Sequence, residues 1–135
     1  MTEHIAGTLE GQLEKLRRDF GDLFLDALAD PETVEILLNP DGTLWQERLG
    51  AKPVQIGSMT RFRAEAVLRT IAACSQTTIT RDKPTIECEL PLDGSRFAGQ
   101  IPPVVPSPTF AVRKRARSGV GQPIMCSITR ARSGR

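Results

Sequence analysis

The fold turns on residues 85–113, TIECELPLDGSRFAGQIPPVVPSPTFAVR. Ile86, Cys88 and Leu90 alternate with Thr85, Glu87 and Glu89, the period of a strand with one apolar and one polar face. Asp93-Gly94 supplies turn chemistry. Phe97, Gly99 and Ile101 then alternate with Arg96, Ala98 and Gln100. The prolines of IPPVVPSP, residues 101–108, exclude a strand interior, because each removes a ladder donor. Phe110 and Val112 resume the alternation opposite Ala111 and Arg113. Three short strands in a row read as part of a small antiparallel sheet with one face against a core.

The preceding residues supply that core. Leu9, Leu13, Leu16, Phe20, Leu23 and Ala27 recur at three- and four-residue steps, predicting an amphipathic helix from about Thr8 to Ala29. Asp30-Pro31 ends it, because the residue before proline is pushed out of helical angles. Val34, Ile36 and Leu38 alternate, Pro40-Asp41-Gly42 turns the chain, and residues 44–49 (LWQERL) are extended again, a hairpin pattern. Gly50 to Gly57 reads as a loop, and Ser58 as the N-cap of a second helix to about Ala73. That helix turns Ala64, Val67, Leu68, Ile71 and Ala72 to one side. The expected fold is α+β, in the order α-β-β-α-β-β-β, a small antiparallel sheet with two helices.

Composition narrows the class. With 39% apolar and 25% charged residues over 135 positions, the chain reads as a soluble domain of ordinary size. It has no apolar run of membrane-spanning length, and its first residues lack a signal-peptide pattern. Cys74, Cys88 and Cys126 are widely spaced and His4 is the one histidine, so no zinc site is expected and the thiols read as reduced. The net charge of +2 is divided: residues 113–135 hold seven basic and no acidic side chains, which leaves −5 for residues 1–112. The segment from about Ala116 lacks any period and repeats Arg-Ala-Arg-Ser-Gly at 115–119 and 130–134. It reads as a disordered basic tail, since it has little apolar surface to offset ordering entropy. The domain division is therefore 1–115 and 116–135. Such a tail can bind nucleic acid or anionic lipid, and only through it could nucleic acid be a partner, because the body is acidic.

The chemistry-bearing candidates are few. A phosphate-binding P-loop requires GxxxxGK[ST], and no Gly-Lys-Ser/Thr occurs. Gly119-Val120-Gly121 is too short a glycine pattern to replace it. His4 lies far in sequence from any candidate nucleophile. Glu87 and Glu89 share a strand face, which fits a solvated edge or a two-carboxylate site. Arg96 and Arg113 each occupy the polar face of their strand. If those strands are neighbours, two permanently charged donor forks suited to phosphate oxygens share one surface. A solvated, salt-bridged face is the competing reading. Binding of single-stranded nucleic acid by stacking is disfavoured, because the five Phe and one Trp fall mostly on expected core faces and Tyr is absent.

Two longer stretches carry a resemblance. VEILLNPDGTLWQERLG (34–50) and PLDGSRFAGQIPPVVPSPTFAVRKRA (91–116) resemble the N-terminal domain of TrbB-like conjugal transfer ATPases, the traffic ATPases of type IV secretion, over about residues 10–116. The Asp-Gly-Ser-Arg-Phe segment, Ile-Pro-Pro and Phe-x-x-Arg-Lys-Arg are its most specific parts. The resemblance implies a hexameric ring of subunits that join an N-terminal α+β domain to a RecA-like motor domain, with ATP and Mg between them. It further implies that Arg96 and Arg113 contact the nucleotide phosphates. Its implied work is conjugative pilus assembly or DNA transfer from the cytoplasmic face of the inner membrane, in contact with family motor subunits and other secretion components. No motor motif follows Ala116 here. The expectation is a truncated or frameshifted chain with no cofactor and no ATPase activity of its own. The alternative is a small interaction or nucleic-acid-binding protein that acts through its tail.

Overall fold

A computed structural model describes residues 9–115. Helix α1 (Leu9–Ala29) leads into β1 (Thr33–Leu38), β2 (Thr43–Arg48) and β3 (Val54–Ser58). Helix α2 (Arg61–Cys74) and then β4 (Thr85–Glu89), β5 (Arg96–Gln100) and β6 (Thr109–Arg113) complete the order. The strands form one fully antiparallel sheet, β3-β2-β1-β6-β5-β4. The α+β class matches the sequence reading. The order differs by one strand, α-β-β-β-α-β-β-β, because part of the expected loop from Gly50 to Gly57 is β3. Its alternation is blurred: Val54 and Gln55 are exposed, Ile56 is partly buried, and a register shift interrupts its pairing with β2. An edge strand with one bonded side needs less apolar pattern than a central one, and the period-2 signal is weak there.

Two three-stranded halves, β1-β2-β3 and β4-β5-β6, are joined by β1 pairing with β6, where Ile36 faces Val112 and Leu38 faces Phe110. In the first hairpin the Asp41 carboxylate accepts from the Thr43 N–H and hydroxyl, closing the Pro40-Asp41-Gly42 turn. The second connection is longer than a tight turn and runs from Leu90 to Ser95. Asp93 accepts from the Ser95 N–H and hydroxyl, and Gly94 N–H donates to Leu90 O.

Both helices lie on one face of the sheet. Phe20 and Phe24 stack with centroids 3.8 Å apart, and each meets the Phe110 ring edge-on at 5.7 and 6.0 Å. Phe97 completes the group, 5.6 Å from Phe110. Leu68 of α2 presses on Gly99 of β5: a Cβ there would lie 2.2 Å from a Leu68 methyl. Only a glycine lets the helix sit that close to the strand.

The expected stripe of α1 holds at Leu16, Phe20 and Ala27, which are buried, while Leu13 is only partly buried and Leu9 and Leu23 are each 58% exposed. In the second half Phe24 and Leu28 join the buried face. Gly21 accounts for the shift at Leu23. Its angles, φ 84 and ψ 167, belong to a region essentially reserved for glycine, and they break the helix there. The break resets the phase of the buried face and frees the Asp19 carbonyl. Arg63 of α2 donates two guanidinium N–H bonds to that oxygen, at 2.7 and 3.0 Å. A Cβ on Gly21 would lie 2.7 Å from this guanidinium.

Helix α2 begins two residues later than expected. Thr60, not Ser58, is its N-cap and accepts from the Arg63 N–H. Phe62 is 82% exposed and Trp45 lies on the polar face of β2, so the aromatic residues are less uniformly interior than their pattern suggests. At the end of α1, buried Gln46 donates to the Thr33 hydroxyl at 2.7 Å, and that hydroxyl donates to Ala27 O. Asp30 accepts from Arg48 Nε at 2.8 Å. The Arg48 guanidinium, with the Glu32 N–H, holds the Asp30 carboxyl below the usual carboxylate range. The Lys114 ammonium donates to Leu28 O and so occupies the negative end of the helix dipole. The readings of His4, Cys126, Gly119-Val120-Gly121 and the basic tail fall outside the described residues.

Candidate phosphate-binding face

The opposite face of the sheet has no helix over it among the described residues. Strand alternation sends Glu89, Arg96, Arg113, Glu35 and Glu47 to that side. The registers place them directly opposite one another in turn: Glu89 with Arg96, Arg96 with Arg113, Arg113 with Glu35, Glu35 with Glu47. One row of five charged side chains therefore crosses five strands, in the sign order minus, plus, plus, minus, minus. Across the next row lie Glu87, Ala98, Ala111, Leu37 and Trp45.

The structure brings Arg96 and Arg113 together as cross-strand partners, the condition on which their candidacy depends. Like charges placed directly opposite each other repel, and neighbouring carboxylates offset this. Arg113 lies 3.7 Å from a Glu35 carboxylate oxygen, with the arginine side chain 69% exposed and that of Glu35 19% exposed. Glu89, the carboxylate beside Arg96 in register, is engaged elsewhere, donated to by Arg115 at 3.2 Å. Among the described residues Arg96 has no ion pair or side-chain hydrogen bond. The two arginines border a shallow groove of about 280 Å³, with Glu35 and Glu87 at its sides and Ala98 and Ala111 on its floor.

Glu87 and Glu89 do share a face, as alternation requires, and both are exposed. The pairing of Glu89 with Arg115 fits a solvated, ion-paired edge better than a two-carboxylate site. Cys74 and Cys88 are free thiols, and burial, with the neighbouring Cys88, pushes the Cys74 thiol up. No group of three or more His, Cys, Asp or Glu side chains able to hold a metal occurs among the described residues. None of their helices is long and apolar enough to cross a membrane. Glu35 escapes the sequence reading, since one glutamate at a polar strand position looks like any solvated residue. Its partner becomes visible only once β1 is known to pair with β6.

The fold matches that of the VirB11 ATPase of the Brucella suis type IV secretion system, determined in complex with sulphate, with a TM-score of 0.69 and 18% identity. The match covers 80% of this chain and 32% of that one. No protein-family model matches the chain. Its sequence is 44% identical over 104 residues to a probable conjugal transfer protein TrbB of Sinorhizobium fredii and to conjugal transfer protein TrbB of Rhizobium radiobacter. Each alignment covers 77% of this chain and 32% of the relative, so the chain spans about a third of the proteins it matches. Over those residues the chain is similar in sequence to TrbB conjugal transfer proteins and shares its fold with part of the VirB11 ATPase.

Proposed function

We propose that residues 9–115 act as the N-terminal domain of a conjugal transfer ATPase and that Arg96 and Arg113 contact nucleotide phosphates for it. The observation that carries this reading is the direct register of Arg96 with Arg113 on the helix-free face. A planar guanidinium offers paired donors that match phosphate oxygens, and two side by side match a chain of phosphates. The arrangement supplies charge and orientation. It supplies neither the backbone cradle nor the lysine of a P-loop. Hydrolysis of ATP with Mg therefore belongs to a RecA-like motor domain, and this chain by itself binds without turning over.

In this reading the domain packs with motor subunits of its family in a hexameric ring. The ring works at the cytoplasmic face of the inner membrane, beside other type IV secretion components, in pilus assembly and DNA transfer. The kinship with TrbB proteins supports the process, and the VirB11-like fold supports the ATPase setting.

The test is a fusion of residues 1–115 to the remaining part of a TrbB relative, followed by nucleotide affinity and turnover. Arg96→Ala and Arg113→Ala are expected to lower turnover by at least roughly tenfold, a modest fraction of what a donated arginine contributes in other phosphoryl-transfer systems. Arg132→Ala, made in the full chain carrying the same fusion, is expected to behave as wild type. Unchanged turnover in both of the first two variants would leave a solvated, salt-bridged face as the correct description.

A further inference from the structure

The charged row is not symmetric about its two arginines, and the asymmetry bears on how they meet an anion. Arg113 is engaged by Glu35, while Arg96 makes no ion pair or side-chain hydrogen bond among the described residues. Glu35 is itself flanked on its other side by Glu47, directly opposite it in register, so its carboxylate has a like charge behind it and a guanidinium in front. That placement leaves Arg113 as its one ion-pair partner among the described residues. Resting on the phosphate-contact reading above, the geometry points to Glu35 as a built-in competitor for Arg113, so that the anion site is half-armed in the free domain: Arg96 is ready and Arg113 must exchange a carboxylate for a phosphate.

The physical chemistry sets the direction of the effect. Two adjacent guanidiniums repel, and Glu35 relieves that repulsion when no anion is bound. An arriving phosphate relieves the same repulsion and must displace Glu35 to use both donor forks. Each carboxylate removed from the row therefore weakens the competition only if it faces an arginine. Glu35 does, at 3.7 Å, and Glu47 does not. Because the Arg113 side chain is largely exposed, the pair is weak and the exchange is readily made. Glu35 then sets the threshold: a single, weakly held anion meets Arg96 alone, whereas a linked pair of phosphates gains enough from the second fork to displace the carboxylate.

The experiment uses the full chain and inorganic pyrophosphate as probe, with affinity read by calorimetry at low ionic strength. Glu35→Gln is expected to tighten pyrophosphate binding by roughly twofold to fivefold, the range that an exposed ion pair supports. Glu47→Gln makes the same change in net charge and is expected to leave affinity unchanged. The double variant Glu35→Gln/Arg113→Ala is expected to lose the gain. Glu35→Asp, one methylene shorter, moves in the same direction as Glu35→Gln and serves if the latter does not fold. An equal gain in Glu35→Gln and Glu47→Gln would overturn the inference in favour of a general change of field. So would weaker binding in Glu35→Gln, which would make the glutamate a positioning residue. If Arg96→Ala and Arg113→Ala weaken pyrophosphate binding while Glu35→Gln has no effect, the inference fails and the phosphate reading stands. If neither arginine matters, or no pyrophosphate binds, both fall.

Discussion

The two faces of the sheet use the same six strands differently. The inner face is filled by Phe97, Phe110, Ile36, Leu44 and Val112, each at most 3% exposed, with Phe20, Phe24 and Leu68 of the helices set into it. Its contacts leave no slack, as the Leu68 methyl against Gly99 makes plain. The outer face carries alanines, a row of charges and a shallow groove, and its side chains pack against little. Stability therefore resides on one side and available chemistry on the other. Mutations on the two faces should separate accordingly, because packed interiors respond to a change of even one methylene while exposed polar positions respond weakly.

The largest effect is expected at the centre of the inner face. Phe110→Ala removes the ring that meets Phe20, Phe24 and Phe97, and should lower unfolding free energy by about 3–5 kcal/mol in a denaturant titration. A loss below about 1 kcal/mol would mean that the aromatic group is not the centre of the core. Gly21→Ala tests how the inner face is assembled. Its added methyl meets the Arg63 guanidinium and its backbone angles suit glycine alone, so a loss of about 1–3 kcal/mol is expected. A neutral or stabilising result would show that α1 runs straight through residue 21 in solution. The smallest effect belongs to the outer face. Arg96→Ala should stay within about 0.5 kcal/mol of wild type, since it removes a like-charge neighbour of Arg113 and no ion pair. A loss comparable to that of Phe110→Ala would end the distinction between a structural and a functional face.

Much of the fold is legible residue by residue. Alternation in residues 85–113 places three strands and their faces, and the apolar spacing of residues 64–72 places the buried side of α2. The misses have separate causes. Leu23 reads as core because a continuous helix carries it to the buried side, and a single glycine with positive φ undoes that continuity. Residues 54–58 read as loop because an edge strand without a clean apolar face has no period to detect. The candidate site was half legible: alternation marks Arg96 and Arg113 as outward, and the resemblance to TrbB-like proteins is what proposes phosphate contact for them, but neither places Glu35 beside them.

Sequence alone determined what local periodicity and turn chemistry can encode: two helices, strands with known inner and outer faces, the Asp41 and Asp93 turns, and kinship with conjugal transfer proteins. Tertiary structure decided the joining of the two three-stranded halves through β1 and β6, residues separated by more than seventy positions. That pairing depends on which strand edges remain free after each half has formed, a property of the assembled sheet that no local window contains. It alone brings Glu35 to Arg113 and makes one row of charges out of residues that are scattered along the chain.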